Sequence, residues 1–304
     1  MSARLLLLCP GQGSQHAGMF ALPASDARAA ALLASLPVDT ILDPATMFSN
    51  RVAQPAIVAC ALATWEALRD DAPAPALVAG YSIGELAAWG VAGALAPVEA
   101  VELASARARL MDASQSSHPG QALAAVSGLL LASCAALLAD DLFYVAIETG
   151  EDSCIVGGPA AALKGVEAKV LALGGRFTRL DVEVASHTPY MASAVAPFAA
   201  SLRAADFRPQ RAPVMSGIAA TRLEGKALAI EHLSRQLAET IRWRDAMDAF
   251  PEAGITVALE LGPGASLSRM LQARHPRIAC RSVADFRSLD GVRKWLARET
   301  TSGV

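Results

Sequence analysis

The chain has no apolar run long enough for a membrane span, which takes about 20 residues, no CxxC spacing and no basic surplus. Its five cysteines, Cys9, Cys60, Cys134, Cys154 and Cys280, are scattered and odd in number. That pattern suits neither a disulfide framework nor a zinc site, and the expectation is a reduced, cytoplasmic setting. Lys and Arg number 26 against 29 Asp and Glu, a formal charge of −3, so nucleic acid is not an expected partner. No pair of carboxylates has the spacing of a glycosidase or a metal centre, and neither metal nor cofactor is expected. Leu5 to Cys9 after Arg4 imitates a secretion signal only faintly. Its apolar part is too short, and Pro10-Gly11 stands where small cleavage-site residues belong. A first buried strand is the better reading.

What the chain does have is core. Over 304 residues it is 53% hydrophobic with a mean hydropathy of +0.36. That is enough for one large domain, or a large domain with a small insert. The stretch around which the rest is organised is Gly80-Tyr81-Ser82-Ile83-Gly84, followed by Glu85-Leu86-Ala87-Ala88. Ala76 to Ala79 reads as a buried strand and Ile83 to Val91 as a helix. Gly-x-Ser-x-Gly between strand and helix is the pattern of a nucleophile elbow. The turn must be sharp, and glycines two before and two after the serine remove the Cβ atoms that would collide. The helix beyond points its free N–H groups toward Ser82, which suits an oxyanion. An ordinary strand-to-helix turn is the plainer alternative for these five residues.

The remaining chain alternates. Leu5 to Cys9 leads into Pro10-Gly11-Gln12-Gly13-Ser14-Gln15, a glycine-rich loop without the GxGxxG or P-loop signature. Such a loop can also turn a backbone N–H toward a reacting oxygen. An amphipathic helix is expected from Gln54 to about Asp70 and another over Pro97 to Asp112, with Val98, Val101, Ala104, Ala108 and Met111 inward. Arg107 and Arg109, two apart, face different ways. From 120 to 185 the order is strand, helix, strand, strand, helix, strand, the last over Phe177 to Val184. That is the split βαβ, ferredoxin-like order, inserted in a domain formed by 1–119 and 186–304. Helix over Ile230 to Glu239, strand over Thr256 to Leu261 and further alternation complete a mostly parallel, helix-covered sheet. The expected fold class is therefore α/β: a large α/β-hydrolase-like domain with a small inserted α+β domain.

A serine hydroxyl needs a base, and five histidines are available: His16, His118, His187, His232 and His275. His187 sits at the domain seam, where a side chain can face a cleft. His275, late in the chain, is the alternative and would suit a simple serine hydrolase. A docking subunit without catalysis is a third reading.

Pro10-Gly11-Gln12-Gly13-Ser14-Gln15, Gln54-Pro55-Ala56, Gly80 to Glu85, Arg107-x-x-x-Met111, Ser186-His187-x-Pro189-x-Met191, Gln236-Leu237 with Arg242-Trp243, and Glu260-x-Gly262-Pro263-Gly264 occur in one order. In this the chain resembles the malonyl-CoA:acyl-carrier-protein transacylases nearly end to end. The resemblance implies that Ser82 takes malonyl as an ester and that His187 is its base. A backbone carbonyl near Gln236 would orient that base, with no acid. It further implies an oxyanion hole from the N–H groups of Gln12 and Ile83, a grip of Arg107 on the malonyl carboxylate, and a supporting Gln54. The partners implied are malonyl-CoA and an acyl carrier protein. Two departures stand out: Tyr81 precedes the nucleophile where the fatty-acid enzymes usually have His, and the segment between Gln15 and Gln54 is shorter. Gly-Tyr-Ser-x-Gly-Glu-Leu-Ala-Ala-Trp is instead similar to the epsilon subunit of malonate decarboxylase, which implies that complex's own carrier and subunits as partners. Acyl carriers are usually acidic, which makes Arg203, Arg208 and Arg211 candidates for a docking patch.

Overall fold

The computed structural model describes residues 3–180 and 182–301. Strand β1 (Leu5–Cys9) is followed by α1 (Ala27–Ser35), α2 (Asn50–Leu68), β2 (Leu77–Gly80), α3 (Ile83–Val91) and α4 (Pro97–Ser117). Next come β3 (Gln121–Ser127), α5 (Leu131–Leu138), β4 (Tyr144–Glu148), β5 (Ser153–Pro159), α6 (Leu163–Ala172) and β6 (Arg176–Arg179). The chain returns through α7 (Ala192–Ala204), β7 (Val214–Met215), β8 (Arg222–Leu223), α8 (Lys226–Arg235) and α9 (Trp243–Glu252). It closes with β9 (Val257–Glu260), α10 (Ser266–Arg274), β10 (Ala279–Ser282) and α11 (Leu289–Thr301).

The first sheet has the order β10-β9-β1-β2-β7-β8. Its pairs are parallel except β7 with β8. Central β1 explains its own sequence. Leu5, Leu7 and Cys9 enter the core on one side of the sheet, and Leu6 and Leu8 enter the core on the other. A strand covered on both faces reads as an unbroken apolar run rather than an alternation. Each such leucine contributes about 1.5–3 kcal/mol by leaving water.

Helix α2 departs from expectation. It begins at Asn50, before Gln54, and is buried nearly all round instead of along one stripe. It packs against α1, α3 and α4, so an apolar surface on every side is what its position requires. Helix α4 runs on to Ser117, and Val98 in its first turn is 40% exposed rather than inward. Arg107 takes an inward place and Arg109 faces out.

The second sheet, β4-β5-β3-β6, is antiparallel throughout. Its order is that of the split βαβ motif, and α5 and α6 enclose a separate core with it around Val126, Val156 and Val166. Of the strand expected over Phe177 to Val184, Arg176–Arg179 forms the ladder, and Asp181 lies outside the described residues. The second sheet is tied to the loop between α8 and α9, where Ile241 N–H donates to Ala146 and Glu148 N–H donates to Ile241. Among the described residues no helix is long and apolar enough to cross a membrane. All five cysteines are unpaired and buried.

Candidate active site

Ser82 stands between β2 and α3 at φ 55°, ψ −119°, a region that L-residues avoid at a cost of about 1–3 kcal/mol. The flanking glycines make this possible by close approach. A Cβ on Gly80 would lie 2.0 Å from the Gly84 carbonyl oxygen, and one on Gly84 would lie 2.1 Å from that of Cys9. The loop after β1 thus runs directly against the start of α3. Ile83 is the first residue of α3, so its N–H has no carbonyl one turn back. The Gln12 side chain is held to Asn50 and Gln54 at 3.3 Å each.

Far along the chain, His187 also has positive φ, 62°. Its N–H donates to the Leu237 carbonyl at 2.8 Å, which fixes the turn before α7. The imidazole is 1% exposed. Its Nε2 lies 2.8 Å from Ser82 Oγ, and its Nδ1 lies 2.6 Å from the Gln236 carbonyl oxygen. A carbonyl only accepts, so Nδ1 carries the proton and Nε2 presents its lone pair to the serine. The Gln236 carbonyl is available because α8 stops at Arg235, earlier than expected, and a helix's last carbonyls lack intrahelical partners. Burial, then the nearby Arg107 cation, push the imidazole pKa down to about 3. The ring is therefore neutral near pH 7, as a base must be.

Arg107 is 1% exposed. One guanidinium nitrogen donates to Gln54 Oε1 at 2.8 Å, and the other lies 3.4 Å from Ser82 Oγ. Burial pushes its pKa down to about 10, so it remains a cation. A fork of donors beside the Ser82 hydroxyl is matched to a planar carboxylate.

Two residues escaped the sequence reading. Asn50 accepts from Gln12 and Gln54 and donates to Asp112 at 2.9 Å. Its signal was its position four residues before Gln54 on one helix face. Glu85, fully buried, accepts from Gly217 N–H and the Gln236 side chain. It follows Ser82 by one helical turn. His275 is elsewhere, 3.0 Å from Asp248, so it does not serve Ser82. Arg203, Arg208 and Arg211 lie at the end of α7 and in the loop beyond it, where the N–H groups of Arg208 and Arg211 donate to Ala94 and Ala92. A cleft of about 650 Å³ between the β4 side of the insert and the loops around His187 and Thr240 has His187, Tyr144, Thr240 and Arg242 on its walls.

Among relatives, the polyketide synthase GfsA of Streptomyces halstedii is 31% identical over 88% of this chain, which spans 4% of that protein's length. The malonyl CoA-acyl carrier protein transacylase of Synechocystis sp. is 27% identical over 93% of this chain and 98% of its own. The crystal structure of FabD from Acinetobacter baumannii superposes with a TM-score of 0.91 over 100% of both chains, at 25% identity. Residues 6–285 match the family described as the acyl transferase domain. With a serine that meets both an imidazole and a guanidinium from distant parts of that span, the chain belongs to the acyl transferase domain family.

Proposed function

We propose that the chain moves malonyl from malonyl-CoA to the thiol of an acyl carrier protein through a malonyl-Ser82 ester. The observation that carries this reading is the buried Arg107 cation, 3.4 Å from Ser82 Oγ. An acyl group esterified there and ending in a carboxylate has its counterion already in place. The name of the Synechocystis relative supports the same substrates.

In this mechanism His187 Nε2 takes the hydroxyl proton as Ser82 Oγ attacks the thioester carbonyl. The oxyanion that forms is met by the N–H groups of Gln12 and Ile83, a contribution on the order of 10²–10³ in kcat per donor. The carbon–sulfur bond breaks, and CoA leaves as its thiol with the proton from His187. The carrier thiol then gives its proton to His187 and attacks the ester, and Ser82 recovers its hydrogen. Among the described residues the imidazole hydrogen-bonds to Ser82 and the Gln236 carbonyl and to no acid, so Ser82 and His187 act as a dyad oriented by that carbonyl. Gln54 holds Arg107 to its task. Residues 1–119 and 186–304 carry the chemistry in this reading, and 120–185 form the insert that walls the cleft. The cleft volume is ample for a thioester arm.

For the carrier, we infer that of malonate decarboxylase, with its other subunits as companions in the cytoplasm. The run from Gly80 to Trp89 supports it. Tyr81 stands where the fatty-acid enzymes usually have His, and its ring packs edge-on against Trp243 with centroids 5.3 Å apart. The names of the relatives favour a second reading, a carrier of fatty-acid or polyketide synthesis. Offering malonyl-CoA with each purified carrier and comparing kcat/KM separates them. A preference for the fatty-acid carrier overturns the first choice, and transfer to neither overturns malonyl transfer to a carrier.

A further inference from the structure

Glu85 is 0% exposed on the first turn of α3. Its Oε2 accepts from the Gln236 side-chain amide at 2.5 Å and from Gly217 N–H at 2.9 Å. Its Oε1 is buried and, among the described residues, has no hydrogen-bond partner. Burying a carboxyl without satisfying both oxygens is costly, so a fold that only needed filling would hold a residue of another kind here. Residue 217 is shaped to admit it: a Cβ there would lie 2.8 Å from Glu85 Oε2 and 3.5 Å from Gln236 Nε2.

The consequence falls on Gln236. Its backbone N–H donates to His232 at 3.0 Å, its side chain to Glu85, and its carbonyl receives the His187 Nδ1–H. A residue held at two other points cannot swing its carbonyl away from the imidazole. We propose that Glu85 is a positioning residue: by fixing the Gln236 amide it aims the Gln236 carbonyl at His187 and sets the tautomer that activates Ser82. In a serine triad a carboxylate does this by touching the imidazole; here the carboxylate stands one residue further back. The inference rests on the malonyl-Ser82 reading.

The charge state of Glu85 makes the role measurable. It faces the Arg107 cation from α4, Gly217 N–H from the loop after β7, and the neutral Gln236 amide from the end of α8, with His187 behind that amide. Burial is the leading influence on its pKa, opposed by these two hydrogen bonds and by Arg107, and the result is a rise to about 7. His187, at about 3, does not titrate in the same window. Protonation of Glu85 weakens its grip, since bonds to an ionised acceptor are about twice as strong.

The test compares the whole chain with its Glu85→Gln, Gln236→Ala and doubly substituted forms. The reading is the rate of Ser82 malonylation over roughly pH 5.5 to 8.5, around the ordinary range of histidine. Glu85→Gln should slow labelling about tenfold at the alkaline end. The native rate should fall below about pH 7 toward that of Glu85→Gln, whose own profile should be flat. The double variant should be no slower than the slower single one, because both act through one contact. Native-like labelling in Glu85→Gln or Gln236→Ala overturns the proposal, as do single effects that multiply. Should Glu85→Gln fail to fold, Gln236→Ala and the native pH limb decide. A native protein that never labels ends the malonyl reading instead. In that event the His187 Nδ1–H proton resonance still judges the positioning role: it should move in Gln236→Ala, and an unmoved signal refutes it.

Discussion

Ser82 Oγ and His187 Nε2 lie 2.8 Å apart although 105 residues separate them in the chain. The whole antiparallel sheet is threaded between them, and both residues hold positive φ angles, 55° and 62°. Neither conformation is favourable for an L-residue away from glycine. The surrounding packing imposes both, and the site depends on that packing.

The buried, neutral His187 makes stability depend on pH. Its folded pKa of about 3 lies below the 6.5 of an ordinary imidazole. As pH falls below 6.5 the unfolded chain takes a proton that the folded one refuses, so stability present above that pH is lost progressively toward pH 3. Glu85, raised to about 7, acts in the opposite direction: its penalty is present at neutral pH and relieved as pH falls. The difference between native protein and His187→Gln isolates the first effect. Thermal melts should show the native protein losing more stability than the variant between neutral pH and pH 4.5, by on the order of 1–3 kcal/mol. Parallel losses contradict the assignment.

Arg107→Ala should cut malonyl transfer roughly 10–10²-fold and leave acetyl transfer intact or improved. Arg107→Lys should recover little, because an ammonium cannot form two parallel bonds to a carboxylate. Steady-state rates with both acyl-CoA substrates check this. Equal loss on the two would make Arg107 a support of the fold only.

Close approach at the elbow predicts a contrast between glycines. Gly84→Ala puts a Cβ 2.1 Å from the Cys9 carbonyl oxygen, so the β1 loop or α3 must move and labelling of Ser82 should be lost. Gly165→Ala, in α6 with none of the described residues within 4 Å of the new Cβ, should instead stabilise by about 0.5–1 kcal/mol. Denaturant midpoints and acyl labelling of the two variants test it, and a harmless Gly84→Ala is the adverse result.

Asn50→Ala releases the side chains of Gln12 and Gln54 from their shared acceptor. The loop carrying the Gln12 N–H should loosen, lowering kcat roughly three- to tenfold with little change in KM, as for a contact that matters in the transition state. An unchanged kcat would detach that loop from the chemistry.

Much of this was legible in the sequence because its causes are local. The strand, glycine, serine, glycine and helix of the elbow are neighbours, and β1 shows its two-sided burial as an unbroken apolar run. The split βαβ order could be read from the succession of elements, and the arginine pair from its spacing. What was not legible depends on contacts at a distance. Nothing in α2 shows that α1, α3 and α4 will cover it on every side, so its amphipathic reading was too narrow. The stop of α8 at Arg235, which frees the Gln236 carbonyl, was placed too late because Gln236 to Glu239 continue a helical composition. The pairing of Glu85 with Gln236 spans 151 residues and leaves no local pattern at all.

The most direct test of the account is the intact mass of the protein after a brief exposure to malonyl-CoA alone. The native chain should gain one malonyl group, Ser82→Ala should gain none, and His187→Ala should gain it far more slowly. A native chain that stays unmodified, or a Ser82→Ala chain that is modified as readily, contradicts it.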